Sequence, residues 1–217
     1  MKRETMISAR EERTLRQMFD EIAESFRVPD LLPDSARMVF LLESPHTQEL
    51  AHGVPVAGLS GGSMAKHLLG TGGKLGPVVG QDPERYGIGL MNVCPIPMQT
   101  AAYANDAQLR PEEYGDFFPL LEGLRASRKK GLEPSRWSEL QALIMDHLRE
   151  RLQTLVNRRI TLVPCGAFAQ KYFQLAGVTS PNWNVLTDVP HPSFNNWDKE
   201  RYQGKIAEVV ATYRGEA

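Results

Sequence analysis

Apolar residues recur along this chain in two rhythms. Met38-Val39-Phe40-Leu41-Leu42, Ile88 to Val93, Ile160-Thr161-Leu162-Val163 and Val185 to Val189 are short, nearly continuous apolar runs, the pattern of strands buried on both faces. Elsewhere the spacing is helical. Leu15, Phe19, Ile22 and Phe26 recur at steps of four, three and four, with Ser8 and Glu11 spaced as a capping box, and predict a helix over about 9–27. Met64 to Leu69 predicts a short helix ended by Gly70. Trp137, Leu140, Ile144, Leu148, Leu152 and Leu155 mark a long amphipathic helix. Phe168, Tyr172 and Phe173 follow Gly166 as another, and Tyr202, Ile206, Val209 and Tyr213 mark the last. The stretch 95–134 is turn-rich and polar and reads as a long loop with short helices, where a specificity element would sit.

Strands that alternate with helices need crossover connections, and those make neighbouring strands parallel and cover both faces of the sheet. The expected fold is therefore α/β: a three-layer α/β/α sandwich with a mostly parallel four-stranded central sheet, formed by residues 1–217 as one domain. Ligands of such sheets bind at the carboxyl ends of the strands.

Composition narrows the class. With 41% hydrophobic and 24% charged residues and a mean hydropathy of −0.35, the chain is neither disordered, collagen-like nor membrane-spanning. Its first twenty residues are charged throughout and lack the apolar stretch of a signal peptide, so the expectation is a cytoplasmic monomer with no membrane partner. A net charge of −1 excludes gripping nucleic acid by bulk positive charge and leaves room for a local basic groove. Two cysteines, Cys94 and Cys165, are too few for a disulfide framework or a four-cysteine metal site.

The segments just past the strands are unusually polar. The first runs into Glu43-Ser44-Pro45-His46, the second ends in Asn92-Val93-Cys94, and the fourth runs into His191-Pro192-Ser193-Phe194-Asn195-Asn196-Trp197. A carboxylate, an amide and an imidazole at one sheet edge are equipment for activating water, reading a planar heterocycle and stabilising a departing anion.

Leu42-Glu43-Ser44-Pro45, then Gly53-Val54-Pro55-Val56-Ala57-Gly58-Leu59-Ser60-Gly61, then Leu90-Met91-Asn92-Val93, then Val189-Pro190-His191-Pro192-Ser193 together resemble, over about residues 36–200, the uracil-DNA glycosylase superfamily. The glycine-rich segment is most similar to the branch whose members usually carry an iron–sulfur cluster. The resemblance implies a DNA repair enzyme of base excision, one that flips a uracil or another deaminated or damaged base from single- or double-stranded DNA and hydrolyses its N-glycosidic bond without a cofactor or metal. It implies Glu43 as the carboxylate that activates water, with Ser44 standing where other branches place Asp or Asn. Asn92 matches the amide that reads the base, and His191 the donor to the leaving base. His46, Val56 and Ser193 would line the base site, and Phe194, Asn195 and Ser60 would contact DNA.

The chain departs from that pattern at Val56, where the similar branch has a stacking Phe. Tyr103, Phe117 or Phe118 are the candidates to replace it. His46 stands where the family has Tyr or Gly, Phe194-Asn195-Asn196-Trp197 replaces the usual small wedge loop, and the cluster cysteines are missing. A relative that binds without cleaving, and a serine hydrolase built on Gly58-Leu59-Ser60-Gly61-Gly62 with Asp188 and His191, are the alternatives. Gln81-Asp82-Pro83 copies another branch's water-activating motif, but ten residues before Asn92 leave no room for a crossover helix, and a turn is expected there. The basic run Arg125, Arg128, Lys129, Lys130, Arg136 reads either as a solvated loop or as a phosphate contact.

Overall fold

The computed structural model describes residues 13–131 and 135–216. Its centre is a sheet of β1 (Met38–Leu42), β2 (Ile88–Asn92), β3 (Ile160–Pro164) and β4 (Trp183–Val185). All pairs are parallel, in the order β2-β1-β3-β4. β1 is central, with Leu42 opposite Asn92 on one side and Leu41 opposite Pro164 on the other. The mostly parallel four-stranded sheet expected from the sequence is thus present.

Helices cover both faces because successive strand residues point to opposite sides. Val39 and Leu41 meet α1 (Leu15–Phe26), α6 (Phe117–Ala126), α7 (Arg136–Gln153) and α8 (Gly166–Ala176) in one apolar cluster. Met38, Phe40 and Leu42 meet α3 (Leu59–Leu69), α4 (Leu75–Gln81) and α9 (Gln203–Arg214) in the other. Two short helices, α2 (Thr47–His52) and α5 (Pro83–Tyr86), complete the β1–β2 crossover.

Four boundaries differ from the sequence reading. Helix α1 is capped by Thr14, whose side chain accepts the Gln17 N–H while the Gln17 side chain accepts the Thr14 N–H; Ser8 and Glu11 lie outside the described residues. The fourth strand is Trp183–Val185, not 185–189. Leu186 donates the last ladder bond, to the Leu162 carbonyl, and Asp188 at φ 61° then turns the chain out of the extended form. The expected loop 95–134 contains the ten-residue α6, whose Phe117, Leu120, Leu121 and Leu124 are buried; Pro119 is harmless there because it falls in the first turn. The helix expected from Met64 begins at Leu59 and includes the glycines.

Those glycines have a packing reason. A Cβ on Gly61 would overlap the Val56 carbonyl, and one on Gly76 the Pro55 carbonyl, so α3 and α4 close onto the 55–56 turn only without side chains there. Gly62 meets nothing nearer than 3.5 Å. Gly61→Ala should therefore lower stability by about 1–3 kcal/mol through overpacking, while Gly62→Ala should raise it by about 0.5–1 kcal/mol through helix propensity. Thermal unfolding of both variants checks this, and shifts of the same sign would contradict it.

Candidate active site

Glu43 is the first residue beyond β1. The ladder continues through its backbone, with Val93 N–H donating to the Leu42 carbonyl and Cys94 N–H to the Glu43 carbonyl, so the side chain leaves from a fixed base. Its carboxylate Oε1 takes the Nε–H of Arg125, in the last turn of α6, as a short ion pair; the two side chains are 21% and 35% exposed. The sequence reading placed Arg125 only in a basic run and missed this pairing.

Across the ladder stands Asn92, 1% exposed. Neither its amide nitrogen nor its amide oxygen has a hydrogen-bond partner, and each buried unsatisfied polar group costs about 1–3 kcal/mol. Among the described residues, Gln141, His147 and Tyr172 also have such atoms. They lie along α7 and α8, whereas Asn92 ends a strand.

Two groups that the sequence reading missed hold this corner. Arg151 of α7 donates from Nη1 to the Asn92 carbonyl at 2.7 Å and to both Asp30 carboxylate oxygens, and from Nη2 to the Val93 carbonyl at 2.6 Å. Burial, the largest influence, raises the Asp30 pKa against the pull of Arg151. The available signal was position: Arg151 falls on the apolar stripe of α7 between Leu148 and Leu152. Glu49 of α2 accepts the His46 N–H at 3.0 Å and the Val56 N–H at 2.8 Å. Burial again raises its pKa, and those two bonds oppose the rise. The Asn92 amide lies near enough to add weakly to that opposition without forming a well-aligned bond. Glu49 stands three residues after His46, the reach of a capping carboxylate.

His191 arrives from the β4 side. Gly166, the first residue of α8, adopts φ 86°; a Cβ there would lie 2.6 Å from the His191 Cβ, so glycine lets the two backbones approach. Gly166 N–H and the Gln170 side-chain amide both donate to the Val189 carbonyl. At the ring, Nδ1 accepts the Ser193 main-chain N–H at 3.2 Å and lies 2.8 Å from Ser193 Oγ. A main-chain N–H can only donate, so the neutral ring carries its proton on Nε2. Burial lowers the His191 pKa most, the Glu43 carboxylate raises it and Arg125 lowers it. The imidazole is therefore neutral at pH 7, and Glu43, Arg125 and His191 form one electrostatic group.

The uracil DNA glycosylase superfamily model matches residues 29–212, most of the chain and the whole of this edge. The chain belongs to that superfamily. Among curated proteins, none matches it.

Other positions of the superfamily pattern fall as follows. Ser44 is partly buried and His46, capping α2, is exposed. Val56 is 4% exposed and holds φ 59°, a conformation that strains a β-branched residue. Phe194 and Asn195 both adopt positive φ, and Phe194 is 86% exposed. Beneath them Trp197 is fully buried, with Nε1–H on the Pro190 carbonyl, and Asp198 binds Ser63, Lys66 and His67 of α3. These bonds, led by that of Lys66, hold the Asp198 pKa down to about 2. Tyr103, Phe117 and Phe118 are core residues, at 3%, 0% and 2% exposure, and do not replace a stacking ring at Val56.

The serine-hydrolase alternative does not fit the geometry. A nucleophile elbow needs a strand before its serine, but Ser60 is the second residue of α3 and follows a turn, while His191 Nδ1 is occupied by Ser193. Asp82 lies between α4 and α5, in the turn expected there. An iron–sulfur cluster takes four thiolates; this chain has Cys94 and Cys165, both fully buried, and burial pushes the Cys94 thiol up to about 12. The donor set does not fit that group.

The His191 ring should titrate below the ordinary 6.5 in an imidazole NMR pH series, with the Nε2–H tautomer above it. Glu43→Gln removes the one influence that raises this pKa and should move the midpoint lower still. A folded pKa below the unfolded one means that this burial contributes full stability above about pH 6.5 and loses it as acid charges the unfolded chain. A midpoint above 6.5, or an upward move in the variant, would contradict the geometry.

Proposed function

We propose that this chain is a DNA glycosylase that hydrolyses the N-glycosidic bond of a flipped uracil or another deaminated or damaged base, in the base-excision class of DNA repair. The observation that carries the reading is the Asn92 amide, buried at the carboxyl end of β2 with both polar atoms unpartnered. A donor and an acceptor side by side, neither in a well-aligned bond to the protein, suit the polar edge of a base.

Breaking the glycosidic bond builds positive charge on the sugar and negative charge on the departing base. The Glu43 carboxylate faces the first by orienting the attacking water, accepting its proton as the new C–O bond forms, and steadying the cationic sugar; Arg125 holds one of its oxygens and leaves the other to accept from water. His191 meets the second, its Nε2–H donating to a carbonyl of the leaving base while Nδ1 stays tied to Ser193. A neutral imidazole donates a weaker bond than an imidazolium, but a fixed one, and it keeps its proton through the step, so none needs to be replaced. Phe194 supplies an exposed ring to fill the gap in the stack, offsetting the few kcal/mol of extruding the base. DNA is the partner, and the reaction needs no cofactor.

The Glu43–Arg125 pair also favours a second reading, a relative that binds a base without cleaving. One assay separates them. Purified protein, incubated with single- and double-stranded oligonucleotides carrying uracil, hypoxanthine or xanthine and then treated with alkali, should cut at one of these bases. His191→Ala should lose the cut, and Glu43→Gln should lower the rate by about 10²-fold or more with little change in binding. Scission by none of the substrates with protein in excess would transfer the assignment to the binding reading.

A further inference from the structure

The segment that follows α6 is basic, and its backbone is held from the inside. Lys171 of α8, 8% exposed, donates from Nζ to the Ser127 carbonyl at 2.7 Å and lies 3.4 Å from the Lys129 carbonyl. Its ammonium also sits 4.7 Å from the centre of the Tyr172 ring. Burial lowers the pKa of this lysine, and burying an ammonium is unfavourable unless acceptors compensate it. The fold spends that compensation on two carbonyls of a surface loop, which orders the loop.

Ordering matters because of what the loop presents. Arg128 and Lys129 are exposed, and neither side chain has a hydrogen-bond or acidic partner among the described residues. Cations close by in the chain are engaged: Lys130 with Gln174 and Arg136 with Asp116. Three residues before Arg128, Arg125 reaches Glu43, so the loop that carries the two free cations follows directly on the helix that reaches the candidate active site. The chain's net charge of −1 supplies no general attraction for a polyanion, so any grip must be local.

We infer that Arg128 and Lys129, braced by Lys171, form a shelf for the phosphates of the nucleic-acid strand whose base enters the site. The identity of that strand rests on the glycosylase reading; the shelf itself requires only binding. Two adjacent cations on a fixed backbone match a chain of regularly spaced anions. They contact no base and carry no sequence preference.

Salt dependence tests this without cleavage. Binding of an oligonucleotide with no damaged base, single-stranded and duplex, is measured over a range of salt for the full-length protein, for Arg128→Gln/Lys129→Gln and for Arg159→Gln. Arg159 is exposed next to the start of β3, at the opposite edge of the sheet. Losing two phosphate contacts should flatten the slope of log K against log salt by roughly 1.4 for single strands and roughly 1.8 for duplex. The double variant should show that change with every base sequence, and Arg159→Gln should keep the parent slope. An unchanged slope in the double variant, an equal flattening in Arg159→Gln, or no binding by the parent protein at low salt would each overturn the shelf. Flattened binding in a protein that cuts no damaged base would support the shelf and refute the glycosylase reading, so the two fail separately.

Discussion

Parallel pairing is the constraint on which this site depends. Because all four strands run the same way, their carboxyl ends lie at one edge, and residues 43, 92 and 191, remote in sequence, are delivered there together. The central strand matters most. β1 is laddered on both sides, so the backbone under Glu43 is fixed by β2 and β3 at once, and the register that sets Leu42 opposite Asn92 also places Glu43 one residue beyond that pair. A slip of one residue would turn every side chain of the strand to the other face; with apolar clusters on both faces, each packed against its own helices, that slip is resisted from both sides.

Two places where this protein gives up stability lie at the same edge. Asn92 keeps two polar atoms without partners, and Val56 holds a backbone conformation that costs a β-branched residue about 1–3 kcal/mol. Both are tightly braced. Arg151 fixes the Asn92 and Val93 carbonyls, Glu49 ties the Val56 N–H to the start of α2, and Gly61 and Gly76 let two helices close over the turn. Strain of this kind persists only where its surroundings over-determine it, and such positions cluster at functional sites.

Much of this was legible in the sequence, for a physical reason. A strand buried on both faces must be apolar throughout, so β1, β2 and β3 were visible within a residue, and an amphipathic helix must repeat its apolar positions, so α7 and α9 were too. Asn92 and His191 stood out because polar residues directly beyond buried runs are conspicuous. The rest depended on contacts that no local pattern encodes. Arg125 meets Glu43 across 82 residues and Arg151 reaches Asp30 across 121. The fourth strand shifted because the sequence cannot announce that Asp188 will take a left-handed turn, and α6 was hidden by a proline that its first turn tolerates.

The central claim is that the Asn92 amide is kept free for the edge of a base. The most direct measurement follows its side-chain NH2 signals by ¹H–¹⁵N NMR while free uracil, hypoxanthine or xanthine is added. The account predicts that one of them shifts these signals saturably, and that Asn92→Asp abolishes its binding as measured by calorimetry. Signals that stay still with every base, in a protein whose His191 ring also does not respond, would contradict it.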